Sequence, residues 1–282
     1  MGIRFTELTE GTKSGFSMEI KSVLFNEQSP FQKVSVIDTE GFGKVLLIDD
    51  LIMLTERDEF VYHEMIAHVP LYNHPNPESV LIIGGGDGGT ARECARHSIV
   101  KTIDLVDIDE MVTTACRAHM QTLTTAIDSG RVNCEFQDGV AYVKESDRKY
   151  DVVIIDSTDP IAVGEGLFTR EFYQDCFAIL KDDGILVNQS ESPSWQPEEV
   201  RKISQKLHEL FPHVGFFQAH IPTYPSGHWI FGFASKQYRP FKDFQATRYS
   251  SDKLKMNYYN DELHRGAFML PTFVRELVKN VE

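Results

Sequence analysis

Acidic side chains recur directly after the short apolar runs of this 282-residue sequence, and their placement suggests chemistry. Gly84-Gly85-Gly86-Asp87-Gly88-Gly89 follows Val80 to Ile83, Asp107-Ile108-Asp109 follows Thr102 to Val106, and Gln137-Asp138-Gly139 follows Arg131 to Phe136. Asp156-Ser157-Thr158-Asp159-Pro160 follows Asp151 to Ile155, and Asn188-Gln189-Ser190-Glu191 follows Ile185 to Val187. One such acid is ordinary, because Asp favours turns and helix caps. Acids after all five runs point to a shared site, since ligands of open α/β sheets bind outside the carboxyl ends of the strands. Asp156 and Asp159, three apart, can divide proton acceptance and cation anchoring between them. Ser157 lacks the G-x-S-x-G surroundings of a nucleophile and reads as a turn residue. Gly164 and Gly166 would let the loop move as a lid.

The glycine loop contains G-x-G-x-x-G as Gly84, Gly86 and Gly89, a weak signal alone. Here it follows a strand and opens a helix, and Asp107 stands 23 positions after Gly84, a spacing that suits an acid holding ribose hydroxyls. A nucleoside-bearing ligand is expected. In dinucleotide sites the helix N-terminus faces a pyrophosphate. Asp87 sits there instead and would repel it. A positively charged or phosphate-free ligand fits, and a sulfonium nucleoside meets both conditions. The alternative is that Asp87 only caps the helix. No G-x-x-x-x-G-K-[ST] occurs, which argues against a nucleoside triphosphatase.

These loops need a scaffold. Residues up to about 55 alternate apolar and polar side chains, as at Phe16, Met18 and Ile20, and predict a small antiparallel β module. From Asp58 to Val69 the period changes to about four, which predicts an amphipathic helix closed by Pro70 and the Asn73 to Pro77 loop. From Ser79 onward, short apolar strands alternate with helical stretches, the signature of a parallel, doubly wound sheet. Val214 to Ala219 and His228 to Ala234 predict a closing antiparallel pair. An aromatic tail ends in a helix around Thr272 to Val281. The expected division is residues 1–55 and 56–282.

Length is enough for a sizeable core without metal or disulfide staples. Forty-two acids against 28 bases give a net charge of −14, which weighs against nucleic acid as a partner. No apolar run approaches a membrane span, and the first residues hold no secretory core. The cysteines at 94, 116, 134 and 176 have neither zinc nor disulfide-framework spacing and suit a reducing cytoplasm. No metal site is expected. His68, His97, His208 and His213 read as helix-surface or capping residues, and Phe241, Phe244, Tyr249, Tyr258 and Tyr259 as packing or an oligomer interface.

Taken as a block, Ser29-Pro30-Phe31-Gln32, Asp58 to Met65, Gly84 to Gly89, Asp138-Gly139, Asp156 to Pro160, Ile221 to Gly227 and Tyr258-Tyr259-Asn260 resemble the spermidine synthases. The resemblance runs through nearly the whole chain. It implies an N-terminal β domain on a methyltransferase-like α/β domain, assembled as dimers or tetramers. It also implies transfer of the aminopropyl group of decarboxylated S-adenosylmethionine to putrescine, giving spermidine and methylthioadenosine. The donor is a co-substrate, and no further cofactor is implied. By the same resemblance Asp156 is the proton acceptor. His63 and Asp87 face the aminopropyl amine, while Asp159, Tyr62, Gln189 and Tyr224 line the diamine channel. Gln32, Asp107, Asp138, Gly139, Gly84, Gly86 and Val163 hold the nucleoside.

Two positions depart from the family pattern. Arg4 stands where a Trp usually lines the diamine site, and Ile161-Ala162-Val163 replaces the usual continuation of the acidic loop. A cation at Arg4 would disfavour a diamine unless it points away. Putrescine is the expected acceptor; cadaverine, agmatine and spermidine stay open. Two rivals remain. One is an amine N-methyltransferase using intact S-adenosylmethionine, whose carboxylate Asp87 would repel. The other is a catalytically silent binding module, against which the intact Tyr62, Asp87, Asp156 and Asp159 argue.

Overall fold

The computed structural model describes residues 2–9, 11–158 and 162–279, without the side chains of 162, 163 and 165. Asp159 and the side chain of Val163 therefore lie outside the described residues. The chain opens with five strands, β1 (Arg4–Thr9), β2 (Ser14–Gln28), β3 (Lys33–Thr39), β4 (Gly43–Ile48) and β5 (Leu51–Thr55), paired antiparallel in sequence order. Helix α1 (Glu59–Asn73) leads into β6 (Ser79–Gly84), α2 (Gly89–Ala95), β7 (Thr102–Asp107), α3 (Glu110–His119), α4 (Thr125–Asp128) and β8 (Val132–Phe136). There follow α5 (Gly139–Glu145), β9 (Tyr150–Asp156), a 3₁₀ turn over Ala162–Phe168, α6 (Arg170–Ile179), β10 (Leu180–Gln189) and α7 (Pro197–Leu210). Strands β11 (His213–His220) and β12 (His228–Ser235) precede three short helices, α8 (Ala246–Asp252), α9 (Asp261–Gly266) and α10 (Thr272–Val278).

The second sheet has the order β11-β12-β10-β9-β6-β7-β8. Strands β10, β9, β6, β7 and β8 run parallel, while β12 and β11 close one edge antiparallel, as the sequence predicts. After β6 the chain adds β7 on one side and β9 on the other. That reversal opens a crevice at the carboxyl ends of β6 and β9. Along β6, Val80 and Ile82 enter one core, while Leu81 and Ile83 enter the other, following the period of two. The N-terminal sheet docks through Val34, Val36, Leu46, Ile48 and Leu54 onto Val112, Ala115, Cys116 and Met120 of the α3 region.

Two expectations need correction. Helix α1 passes through Pro70 to Asn73, and every residue from Val61 to Asn73 is buried, so the helix is central rather than amphipathic. Proline removes one amide donor and crowds the carbonyl one turn back, but it keeps a helical φ, and packing on all sides carries the last turn past it. His68 and His97 are not on the surface. They are wholly buried, with His68 Nδ1 2.8 Å from His97 Nε2 and His68 Nε2 3.0 Å from Glu93 Oε2. Their contacts join α1 to α2 and its C-terminal end, and a one-dimensional spacing rule could not reveal that pairing.

Candidate active site

The glycine loop after β6 is shaped by left-handed turns at Gly84, Gly85 and Gly88, with φ of 80°, 67° and 91°. A Cβ on Gly84 would stand 2.1 Å from the Asp156 carbonyl oxygen, and one on Gly89 2.2 Å from the His63 ring. Glycine here lets the loop approach β9 and α1 closely. Asp87 does cap this turn, since its Oδ1 accepts from the Gly89 amide at 2.8 Å. The same oxygen lies 3.3 Å from His63 Nε2, so capping and site placement coexist.

Helix α1 supplies the facing wall, and its first residues divide their tasks. Asp58 accepts from the Thr55 hydroxyl and from the amide and hydroxyl of Thr223, tying the helix start to both neighbouring segments. Glu64 accepts the amides of Asn257, Tyr258 and Tyr259, each at 2.8 Å, which explains why those tail residues accompany the helix motif. Between them, Tyr62 and His63 face the cavity.

Asp156 ends β9. Its Oδ1 accepts from the Tyr62 phenol at 2.6 Å and its Oδ2 from the Thr90 hydroxyl at 2.6 Å. Burial, reinforced by the charge of Asp87, raises its pKa above the usual aspartate value. Burial and the Asp156 charge hold the Tyr62 phenol well above its ordinary value, so it remains a neutral donor. For His63, burial favours the neutral ring, but the Asp87 and Glu59 carboxylates prevail and push it up to about 10. His63 thereby holds Asp87 below the usual carboxylate value, despite the burial of that acid.

At the other end of the cavity Asp107 accepts from the amides of Gly86 and Asp109. Burial raises its pKa to about 6, against the pull of those two amides. Asp138 caps α5 through the Val140 amide at 2.8 Å. Gln32, Gly84, Gly86, Asp107, Asp138 and Gly139 border the same cavity as Tyr62, His63, Asp87, Asp156 and Tyr224. Gln189 borders an adjoining cavity that shares Tyr62, Ser157, Thr158 and Tyr224 with the first. The Tyr224 hydroxyl donates to the Met53 carbonyl at 2.6 Å.

Several neighbours escaped the sequence reading. Thr90 follows the glycine loop directly, and that position was its only signal. Trp229 of β12 and Glu7 of β1 border the second cavity, and Glu7 also accepts the Ile52 amide at 2.6 Å. Arg4 is exposed on β1 opposite Glu19 and borders neither cavity. It stands three positions before Glu7, an odd offset that places the two on opposite faces of the strand.

The fold gathers two groups that no sequence spacing announced. His63, Asp87 and Asp156 offer ligand atoms within 4.8 Å of one another, as do His74, Asp151 and Asp183. Both ring nitrogens of His63 face carboxylates and act as donors, leaving no lone pair for a metal. In the second group His74 Nδ1 accepts the Asn76 amide, and Nε2 stands 3.5 Å from Asp183 and 4.0 Å from Asp151.

Comparison with known proteins bears on the family and the fold. A family model described as the spermine/spermidine synthase domain matches residues 59–245, and one described as the spermidine synthase tetramerisation domain matches residues 3–56. A polyamine aminopropyltransferase of Alkaliphilus metalliredigens is 50% identical over 266 residues, covering 94% of both chains. One from Clostridioides difficile is 49% identical over 275 residues, covering 96% of both. A spermidine synthase solved in complex with the transition-state analogue AdoDATO superposes with a TM-score of 0.95 at 38% identity, covering 98% of this chain and 94% of that one. The spermidine synthase of Thermotoga maritima gives 0.94 at 37% identity, covering 99% and 94%. The chain belongs to the spermine/spermidine synthase family of aminopropyltransferases.

Proposed function

We propose that the chain transfers the aminopropyl group of decarboxylated S-adenosylmethionine to putrescine, with Asp156 as proton acceptor. The observation that carries this reading is the half-buried Asp156 carboxylate, held by Tyr62 and Thr90 within reach of Asp87 and His63. An alkyl ammonium cannot attack until it loses a proton. Asp156 takes that proton. The freed lone pair then forms the N–C bond at the methylene next to sulfur. The C–S bond breaks, its electron pair stays on sulfur, and methylthioadenosine leaves neutral. Asp107, Asp138, Gly139, Gln32, Gly84 and Gly86 hold the nucleoside, and Asp87 with His63 meets the donor's ammonium. Val163 and Asp159 keep the roles implied by the resemblance, at the nucleoside and in the diamine channel. Gln189 and Tyr224 line that channel with Tyr62. Glu7, buried beside the second cavity, gives the distal ammonium a counter-charge.

The test is incubation with decarboxylated or, separately, intact S-adenosylmethionine and putrescine, cadaverine, agmatine or spermidine, with products identified by mass spectrometry. Spermidine and methylthioadenosine are expected. A methylated amine formed from the intact cofactor instead would establish the methyltransferase reading, and no turnover the silent module.

We further infer that turnover needs no metal, because a sulfonium carbon is already activated and the thioether leaves uncharged. Activity is expected to persist in excess chelator; a loss that added metal restores would refute this. The division at 1–55 and 56–282 and assembly into dimers or tetramers belong to the same proposal, supported by the tetramerisation-domain match. No helix among the described residues is long and apolar enough to cross a membrane. Four free cysteines suit a cytoplasmic setting.

A further inference from the structure

Glu59 is the acid of the α1 motif whose task remains unassigned. Its Oε2 accepts from His63 Nδ1 at 2.6 Å. Both its oxygens are gripped by the guanidinium of Arg92, at 2.9 and 2.8 Å. Arg92 is itself held, since its Nε donates to Glu93 Oε1 at 2.9 Å and Glu93 also accepts from His68 and Arg96. Such a two-pronged grip fixes direction as well as charge. The side chains of His63, Glu59 and Arg92 are only 3%, 12% and 18% exposed, so water screens this chain of contacts weakly.

The consequence concerns charge at the donor end of the cavity. His63 faces Glu59 and Tyr62 from its own helix, Asp87 from the glycine loop and Asp156 from β9. With protons on both ring nitrogens, Glu59, His63 and Asp87 together carry one negative charge. We propose that Glu59, clamped by Arg92, is a positioning residue that locks the His63 imidazolium against Asp87 and sets that net charge for the donor's ammonium. The proposal rests on the aminopropyl-transfer reading above.

Glu59→Gln removes the charge and keeps the shape. His63 stays cationic at low pH, and the trio then sums to zero. As pH rises, the ring, with one carboxylate fewer, loses its proton and the single negative charge returns. Calorimetric binding of decarboxylated S-adenosylmethionine to the variant should therefore be about tenfold weaker at pH ~6, the scale of one unit charge nearby, and recover toward pH ~8.5. Wild-type affinity should show no such loss at low pH beyond what the ionisation of Asp107 and Asp156 imposes on both proteins alike. Methylthioadenosine lacks the ammonium, so its affinity should not change. Arg92→Lys keeps every charge and loses only the fork, so it should bind the donor at pH ~6 nearly as the wild type does, and a loss there as large as that of Glu59→Gln would overturn the charge account. A weakening shared by methylthioadenosine, or one independent of pH, would give Glu59 a merely structural role and overturn the proposal. Nitrogen-15 NMR of wild-type His63 tests the same point without a variant: both nitrogens should stay protonated from pH ~6 to ~8.5, and a neutral ring at pH 7 overturns it. Failure of the functional reading would show differently, as wild-type protein that does not bind the decarboxylated donor at all.

Discussion

The Asp156→Asn variant is expected to lose about 10²–10⁴-fold in kcat at neutral pH, the usual span of general-base catalysis. Asn keeps the shape of the side chain and can still meet the Tyr62 and Thr90 hydroxyls, but it cannot hold the proton that the amine must shed. The loss should depend on pH. More of the acceptor amine is free at high pH, so the defect should shrink there. The wild type should show an acid limb that the variant lacks. Asp156 must be ionised to act, its pKa is raised by burial and by Asp87, and activity therefore falls as pH drops through that raised value. Rates measured across pH for both proteins decide the matter. A wild-type-like kcat in the variant, or a defect that stays constant with pH, would send the proton by another route, through Tyr62 or water.

The second large effect concerns the donor. Decarboxylated S-adenosylmethionine should bind about 10²-fold more tightly than the intact cofactor, since a like-charge contact near ~4 Å at an effective dielectric of ~20 is worth ~4 kcal/mol before screening. The extra carboxylate would enter a cavity bordered by Asp87 and Asp156. His63 does not relieve that repulsion, because its cation is already held between Glu59 and Asp87. Calorimetry with both cofactors measures the gap, and Asp87→Asn should narrow it. Equal affinities for the wild type would remove the donor assignment and favour methyl transfer.

Much of this arrangement is legible in the sequence. The acids stand at or just past the carboxyl ends of β6, β7, β8, β9 and β10 because alternating strands and helices show themselves in local periodicity, and a parallel sheet brings those ends to one edge. Asp87, Asp107, Asp138 and Asp156 border a single cavity accordingly, whereas Glu191 after β10 borders neither that cavity nor the adjoining one. Helix α1 was visible by its period but not by its environment. A four-residue repeat looks the same whether one face or the whole helix is covered, and the length past Pro70 depended on packing that the repeat does not describe.

By itself, then, the sequence determined the doubly wound sheet, the glycine loop with its acid, and the placement of acids at the carboxyl ends of the strands. All of these follow from neighbours a few residues apart. Tertiary structure alone decided which acid serves which partner. Thr90 reaches Asp156 across 66 positions, Tyr62 reaches it across 94, and Glu59 meets Arg92 across 33. It also turned Arg4 outward while setting Glu7 beside the second cavity, and it buried His68 against His97. Such pairings depend on how α1, the glycine loop and the N-terminal sheet dock. Docking is set by the summed packing of many apolar side chains, and no local spacing encodes it.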